Sequence, residues 1–453
     1  MKLVKLSVVA AVAACSFVSA KPLEEAIKNV EISGHARYRY DTGIFKENSL
    51  TLNAGANAAS HIQAHRYRVG LGVKTDIGDG FKIFGQVYYN HDRNNSFATG
   101  ARNGSAGVQG ANTSNPLVLR QAYLEYENAD YGFSARFGRQ ELSTVWTEDL
   151  AGMVGKIFLK PVDGITVAAF AVDSIQGANT SDSSGNPTGW QVGDTDATNF
   201  RPYLSQQNGD LLTARLYKYN IYGAAVLTDF ADLGLKLDLW GAYWQETANL
   251  WALKLNYTLP LGEDLSYTAK FSYLGNTLNK DFKTDTVPGQ NGQLFDLRGQ
   301  IKGYGFDARL GGIMFGNKKG YSIHTLEAMS GADLYIGREI FYQKGSWLSL
   351  AYGQSTYGYI GAGYTLPYDI RIGVQGVYGG TKSDKSIANT TAAANGTGSK
   401  TELVGELSWK INKNFDLSLW YSNLTTKAKR GLQNGADAKS VKDSVRFQAY
   451  YKF

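Results

Sequence analysis

The side chains in this sequence best placed to do chemistry are charged residues in close succession, several of them set two apart. Arg37 and Arg39 lie in "GHARYRYD", Arg66 and Arg68 in "HRYRVG", and Arg136 and Arg139 in "SARFGRQE". Carboxylates recur nearby as Glu125 and Glu127 in "LEYE", then as Glu141, Glu148 and Asp149 in "QELSTVWTED". Side chains two apart share one face of an extended strand, so Arg37 with Arg39, Arg66 with Arg68, and Glu125 with Glu127 are each a short charged ladder. Basic and acidic ladders facing each other across a narrow aqueous space would produce a transverse field, focused by low-dielectric walls, that orients polar solutes. The stretch that carries Glu141, Glu148 and Asp149 lies between two alternating segments and is expected to fold inward.

Other chemistry has little support. The sequence has no G-x-S-x-G nucleophile elbow, no phosphate-binding G-x-x-x-x-G-K-[ST] loop and no kinase signature set. His35, His61, His65, His91 and His324 lack the spacing of a zinc site. "DTD" at 194–196 offers two carboxylates, where calcium asks for about six or more oxygens. The single cysteine, Cys15, falls in the first twenty residues. Those residues, "MKLVKLSVVAAVAACSFVSA", read as a cleaved secretory signal with Ala20 at the cleavage site; "VAAC" leaves lipidation at Cys15 as the alternative.

The elements that must position these charges are short alternating segments, twenty of them between 30–41 and 441–453. Some, at 152–172 and 211–228, could be loop or parts of one strand. In "VRFQAYYKF", Val445, Phe447, Ala449, Tyr451 and Phe453 oppose Arg446, Gln448, Tyr450 and Lys452. At 403–409, Leu403, Gly405, Leu407 and Trp409 oppose Val404, Glu406 and Ser408. Short turns such as Gly78-Asp79-Gly80 and Asn412-Lys413-Asn414 alternate with long polar stretches at 92–116, 173–210, 276–293, 316–345 and 380–399. Up-and-down hairpins with one elaborated rim have this asymmetry. The segment "YSIHTLEAMSGADLYIGREIFYQ" stands apart, as a short helix or a fold-back of undetermined position.

Composition bears on the medium that the apolar faces meet. The sequence holds 52 glycines, 29 tyrosines and only eight prolines, with no Pro-rich or charged linker. After residue 20 no apolar run approaches the ~20 residues of a membrane helix. A formal net charge of +6 points neither to nucleic acid nor to a polybasic membrane patch. In hydrocarbon an open sheet edge leaves backbone groups unsatisfied, so apolar-out, polar-in strands are stable there only when closed, and closure creates a polar lumen. The expected fold is therefore all-β, a transmembrane antiparallel barrel formed by residues 21–453 as one domain. Tyr126, Phe137, Trp240, Trp251, Trp409, Trp420 and Tyr451 are its candidate interfacial aromatics. A soluble β-sandwich or β-helix is the competing architecture.

Several stretches carry a family resemblance: "PLEEAIKNVEISGHARYRYDTG", "WTEDLAGMVG", "GITVAAFAVDS", "GREIFY", "GAGYT", "VYGGTK" and the terminal "VRFQAYYKF". In this order, and spread over nearly the whole length, they resemble the major outer-membrane porin family of Campylobacter and its relatives. The resemblance implies a barrel of about 18 strands, within roughly 16 to 20. It further implies passive diffusion of ions and small hydrophilic solutes with cation preference, a homotrimer, and calcium held among carboxylates in relatives. Partners would be outer-membrane lipids and lipopolysaccharide, and the barrel-assembly machinery, which would recognise the terminal Phe453. The long loops depart most from the family pattern, which leaves a monomeric paralogue open, as it leaves open an adhesive barrel with a plugged lumen or a barrel enzyme.

Overall fold

The computed structural model describes residues 30–48, 61–93, 117–147, 150–175, 180–181, 187–188, 219–280, 289–326, 336–340, 351–384, 398–432 and 436–453. Seven strands come first: β1 (Val30–Asn48), β2 (His61–Gly78), β3 (Phe81–Arg93), β4 (Val118–Asn128), β5 (Phe133–Glu141), β6 (Ala151–Val162) and β7 (Ile165–Ile175). A separate ribbon follows, of β8 (Thr180–Ser181) and β9 (Pro187–Thr188). Then come β10 (Ile221–Thr228), β11 (Leu235–Trp244), β12 (Ala248–Pro260), β13 (Leu265–Leu278), β14 (Gln293–Gly303) and β15 (Phe306–Ser322). The last five are β16 (Ala351–Leu366), β17 (Ile370–Lys382), β18 (Gly398–Asn412), β19 (Phe415–Leu432) and β20 (Ala436–Lys452).

Without the ribbon, these strands form one 18-stranded sheet. Every pairing is antiparallel between neighbours in the chain, β7 pairs with β10, and β20 pairs with both β19 and β1. The sheet is therefore a closed barrel. Eighteen of the twenty alternating segments correspond to its strands. Of the other two, 346–353 runs into the start of β16, and 211–219 lies almost wholly outside the described residues.

Alternation along each strand sorts residues by medium. Leu297, Leu310, Ile360 and Val374, on four successive strands, are each more than 60 % exposed in the bare protein. Their neighbours along the chain, among them Asp296, Arg298, Tyr359 and Gln375, are buried on the other face. Covering a Leu or Val side chain with hydrocarbon is worth about 1–3 kcal/mol, so the outward face belongs in a bilayer. Among the described residues no helix is long and apolar enough to cross a membrane; the strands cross it. The barrel is a multi-span protein of the bacterial outer membrane.

One rim is built of tight turns. At the β14–β15 link, Tyr304 and Gly305 have φ of 51° and 81°, the mirror-image turn that matches strand twist in a two-residue hairpin. Outward aromatics gather near this rim, with Phe81, Tyr126 and Phe133 in one ring cluster and Phe415, Tyr451 and Phe453 in another. The opposite rim carries the long links, but not at every position. There Gln245, Glu246 and Thr247 alone join β11 to β12, where Thr247 N–H closes onto Trp244 C=O at 3.0 Å.

Candidate functional site

The inner face of β1–β5 carries most of the arginines singled out from the sequence. Register places Arg37 opposite Arg68 and Arg39 opposite Arg66. Like charges directly across a pair of strands repel, and the wall offsets this with counter-groups. Asp41 binds Arg66 Nη1 at 3.3 Å and Arg446 Nε at 2.5 Å. Arg39 Nε donates to Gln448 Oε1 at 2.5 Å, while Arg68 and Arg120 lie over the Tyr88 ring at 5.5 and 5.7 Å. Residues from the two ends of the chain thus share one charged surface.

The acidic residues do not form an opposing wall. Glu125 stands across from Arg136 in register, 2.8 Å from its Nε, and also takes Lys74 Nζ at 2.9 Å. Glu141 meets Arg120 at 3.2 Å, and its carbonyl accepts from Lys156 Nζ at 2.6 Å. Glu127 pairs with Lys82 at 2.6 Å beside the tight-turn rim. The acids are interleaved with the bases on one wall, because strand pairing brings opposite charges into adjacent positions. Glu148 and Asp149 lie outside the described residues.

Three further expectations need correction. Arg139 pairs with Ala122 and Met153, residues of the outward set, and its Nε donates to Leu119 C=O at 2.9 Å. Three positions from Arg136, it falls on the other face of β5. Trp240 and Trp420 are not interfacial aromatics, because both point inward. Trp240 pairs across strands with Ala225 and Ala252, which are buried on the inner face, and packs edge-on against Trp146 at 6.1 Å. Trp420 faces Glu406 and Arg446 in register and lies beneath the Arg446 guanidinium at 5.3 Å. By contrast, Tyr126, Phe137, Trp251, Trp409 and Tyr451 sit on the outward face.

Two links of the long rim fold into the barrel. Residues 142–147 bring Leu142, Val145 and Trp146 into a buried cluster with inner-face residues of β6, β7, β10–β17 and β19. Ile323, Leu326, Ile336 and Ile340, from the β15–β16 link, join the same cluster. Leu326 N–H donates to Trp146 C=O at 2.8 Å, which bridges the two segments. Residues 323–326 and 336–340 of the link that gave no clear reading in sequence are thus internal.

Where it meets β17–β20, the β15–β16 link reaches a second charged group that sequence reading missed. Arg338 donates to Glu406 Oε1 from Nε at 3.1 Å and from Nη2 at 2.7 Å. Glu406 Oε2 takes Arg371 Nη1 at 3.3 Å, and Arg371 binds Asp307 through two hydrogen bonds of 2.7 Å. Lys442 reaches Glu339 at 2.6 Å. Alternation on β17, β18 and β20 could have flagged Arg371, Glu406 and Lys442; nothing local marks Arg338. Asp194 and Asp196 lie outside the described residues, and among those described no three His, Asp, Glu or Cys side chains gather to hold a metal.

A closed antiparallel barrel with lipid-facing apolar residues, a charged interior and links folded inward defines an outer-membrane barrel with porin architecture. The chain belongs to the family described as Campylobacter major outer membrane protein, which it matches over residues 1–453. No curated protein sequence matches it. Among solved structures, OccK9 (OpdG) of Pseudomonas aeruginosa is similar with a TM-score of 0.61 at 12% identity, covering 94% of this chain and 100% of that one. A BenF-like porin from Pseudomonas fluorescens Pf-5 gives 0.60 at 11% identity, covering 94% and 98%. OccAB4 of Acinetobacter baumannii gives 0.58 at 12% identity, covering 94% and 99%. At such identities the likeness is one of fold.

Proposed function

We propose that this barrel is a porin, a water-filled channel through which ions and small hydrophilic solutes diffuse passively. The observation that carries the reading is the charged inner wall formed by β1–β5 together with β20. Arg136, Lys74 and Arg446 there stay partly exposed, while Arg68, Arg120 and Glu125 are buried against their partners. The exposed charges border water, since taking an ion without close partners into a dry interior costs several kcal/mol. The apolar cluster of the inward segments takes its wall residues from β6, β7, β10–β17 and β19, while residues 338–340 reach β18 and β20. Water and ions then have a route along β1–β5, bordered by the charged residues of β17–β20, and no reaction is needed.

Two finer statements accompany this reading. Cation preference comes with the family resemblance, yet away from the strand ends the inner face of β1–β5 holds more arginines than carboxylates. Preference for cations then has to arise at carboxylates outside β1–β5, among them Asp296, Asp307 and Glu406 of the inner face and acidic residues of the rims. A homotrimer is the assembly the resemblance brings, with lipopolysaccharide and lipid around it and the barrel-assembly machinery acting on the terminal strand.

Single-channel recording of the purified protein in a planar bilayer under a salt gradient tests all of this. Discrete openings support the channel. The sign of the reversal potential decides between cation preference and an arginine-dominated wall, and steps in threes support the trimer. A folded barrel that passes no current overturns the reading in favour of a plugged barrel.

A further inference from the structure

Glu402 lies on the inner face of β18 and is completely buried. Its carboxylate is enclosed by donors from a different part of the chain. Oε1 accepts the backbone N–H of Arg338 at 2.9 Å and of Glu339 at 2.8 Å, and Oε2 accepts that of Ile340 at 3.1 Å. Ser422 Oγ on β19 donates to Oε1 at 2.5 Å. Three consecutive amides aimed at one anion form a nest, an arrangement that binds negative charge through backbone dipoles. Gly337, with φ of 67°, starts the nest, and a Cβ there would collide with Oε2. Lys400, two residues away on the same face, holds the far end of the segment by donating to Ile340 C=O at 3.2 Å.

The nest fixes the backbone of the residue whose side chain carries the segment's positive charge to the wall. Arg338 gives its N–H to Glu402 and its guanidinium to Glu406, and it remains half-buried rather than sealed off. Any shift of the backbone at 337–340 therefore moves that guanidinium and alters the Glu406–Arg371–Asp307 chain of charges.

We propose that Glu402 is the positioning residue of the lumen: it grips residues 338–340 by their backbone amides and so sets where the Arg338 guanidinium stands beside the water path. The proposal rests on the channel reading. Glu402 itself, sealed from water, acts on permeating ions only through Arg338.

Wild type, Glu402→Gln, Arg338→Gln and the double variant decide the matter by two measurements. In hydrogen exchange, Glu402→Gln places an amide among the donors, so the amides of 338–340 should exchange about tenfold or more faster, while those of β18 stay protected. In bilayers under a salt gradient, Arg338→Gln removes a positive charge and moves the reversal potential toward cations. Glu402→Gln should move it in the same direction, and the double variant should add nothing to Arg338→Gln alone. A shift toward anions, as expected if the lost Glu402 charge acted directly, overturns the proposal. So do additive shifts, or unchanged exchange at 338–340. If wild type passes no current, the channel reading fails, while the exchange result still decides whether Glu402 is the anchor. Should Glu402→Gln fail to fold, Glu402→Asp, which keeps the carboxylate one methylene short, is read in the same two ways with smaller shifts.

Discussion

Gly34 and Phe453 exchange both of their backbone hydrogen bonds: Gly34 N–H donates to Phe453 C=O at 2.9 Å, and Phe453 N–H donates to Gly34 C=O at 3.0 Å. This is the rim end of the β1–β20 pairing that closes the barrel, and the Phe453 ring lies over the glycine. A Cβ at position 34 would approach the ring to 2.5 Å and the Gly70 carbonyl to 2.7 Å.

Gly34→Val should therefore destabilise the closure by about 1–3 kcal/mol, the usual range for overpacking. The expected result is a lower temperature for loss of the compact band in heat-modifiability gels. Phe453→Ala removes the overlying ring without crowding and should lower the assembled yield more than it lowers that temperature.

Asp41 is shared by Arg66 and Arg446, one from β2 and one from β20. Asp41→Asn leaves two facing guanidinium groups without their common carboxylate. The reversal potential should shift toward anions, and stability should fall by about 1–2 kcal/mol, less than for a dry buried pair because the wall borders water.

Trp146 joins the two inward segments through its carbonyl and packs on Trp240 through its ring. Trp146→Ala should open a cavity costing about 3–5 kcal/mol at most. Because the deficit falls on the segments and not on the strand ladder, the expected readout is larger and noisier single-channel current in a barrel that still resists SDS.

Tryptophan orientation is open to direct measurement. In single-tryptophan variants reconstituted with brominated lipid, Trp251 and Trp409 should be quenched strongly, whereas Trp240 and Trp420 should be quenched little. Strong quenching of Trp240 would contradict its inward placement against Trp146.

The sequence by itself determined an all-β meander and the faces of its strands, and favoured a barrel over a soluble β-sandwich or β-helix; the β1–β20 pairing closed it. A period of two is a local property: Val445, Phe447 and Ala449 could only share one face, Arg446 and Gln448 the other, and an apolar face with no open edge requires closure. It also indicated the elaborated rim, though it showed neither the long β1–β2 link nor the three-residue β11–β12 and β19–β20 links on that rim. What only the tertiary structure decided are relations between residues far apart in the chain. Register made Glu125 the immediate partner of Arg136 instead of its opposite across the lumen. Parity does place Trp240 with Lys236 and Asp238, and Trp420 with Asp416, Ser418 and Ser422, on the polar face; what each ring packs against there, Trp146 in one case and the Arg446 guanidinium in the other, only the tertiary structure decided. The grip of Glu402 on residues 338–340 spans some sixty positions of chain and uses backbone amides, which every residue but proline carries and no sequence pattern reveals.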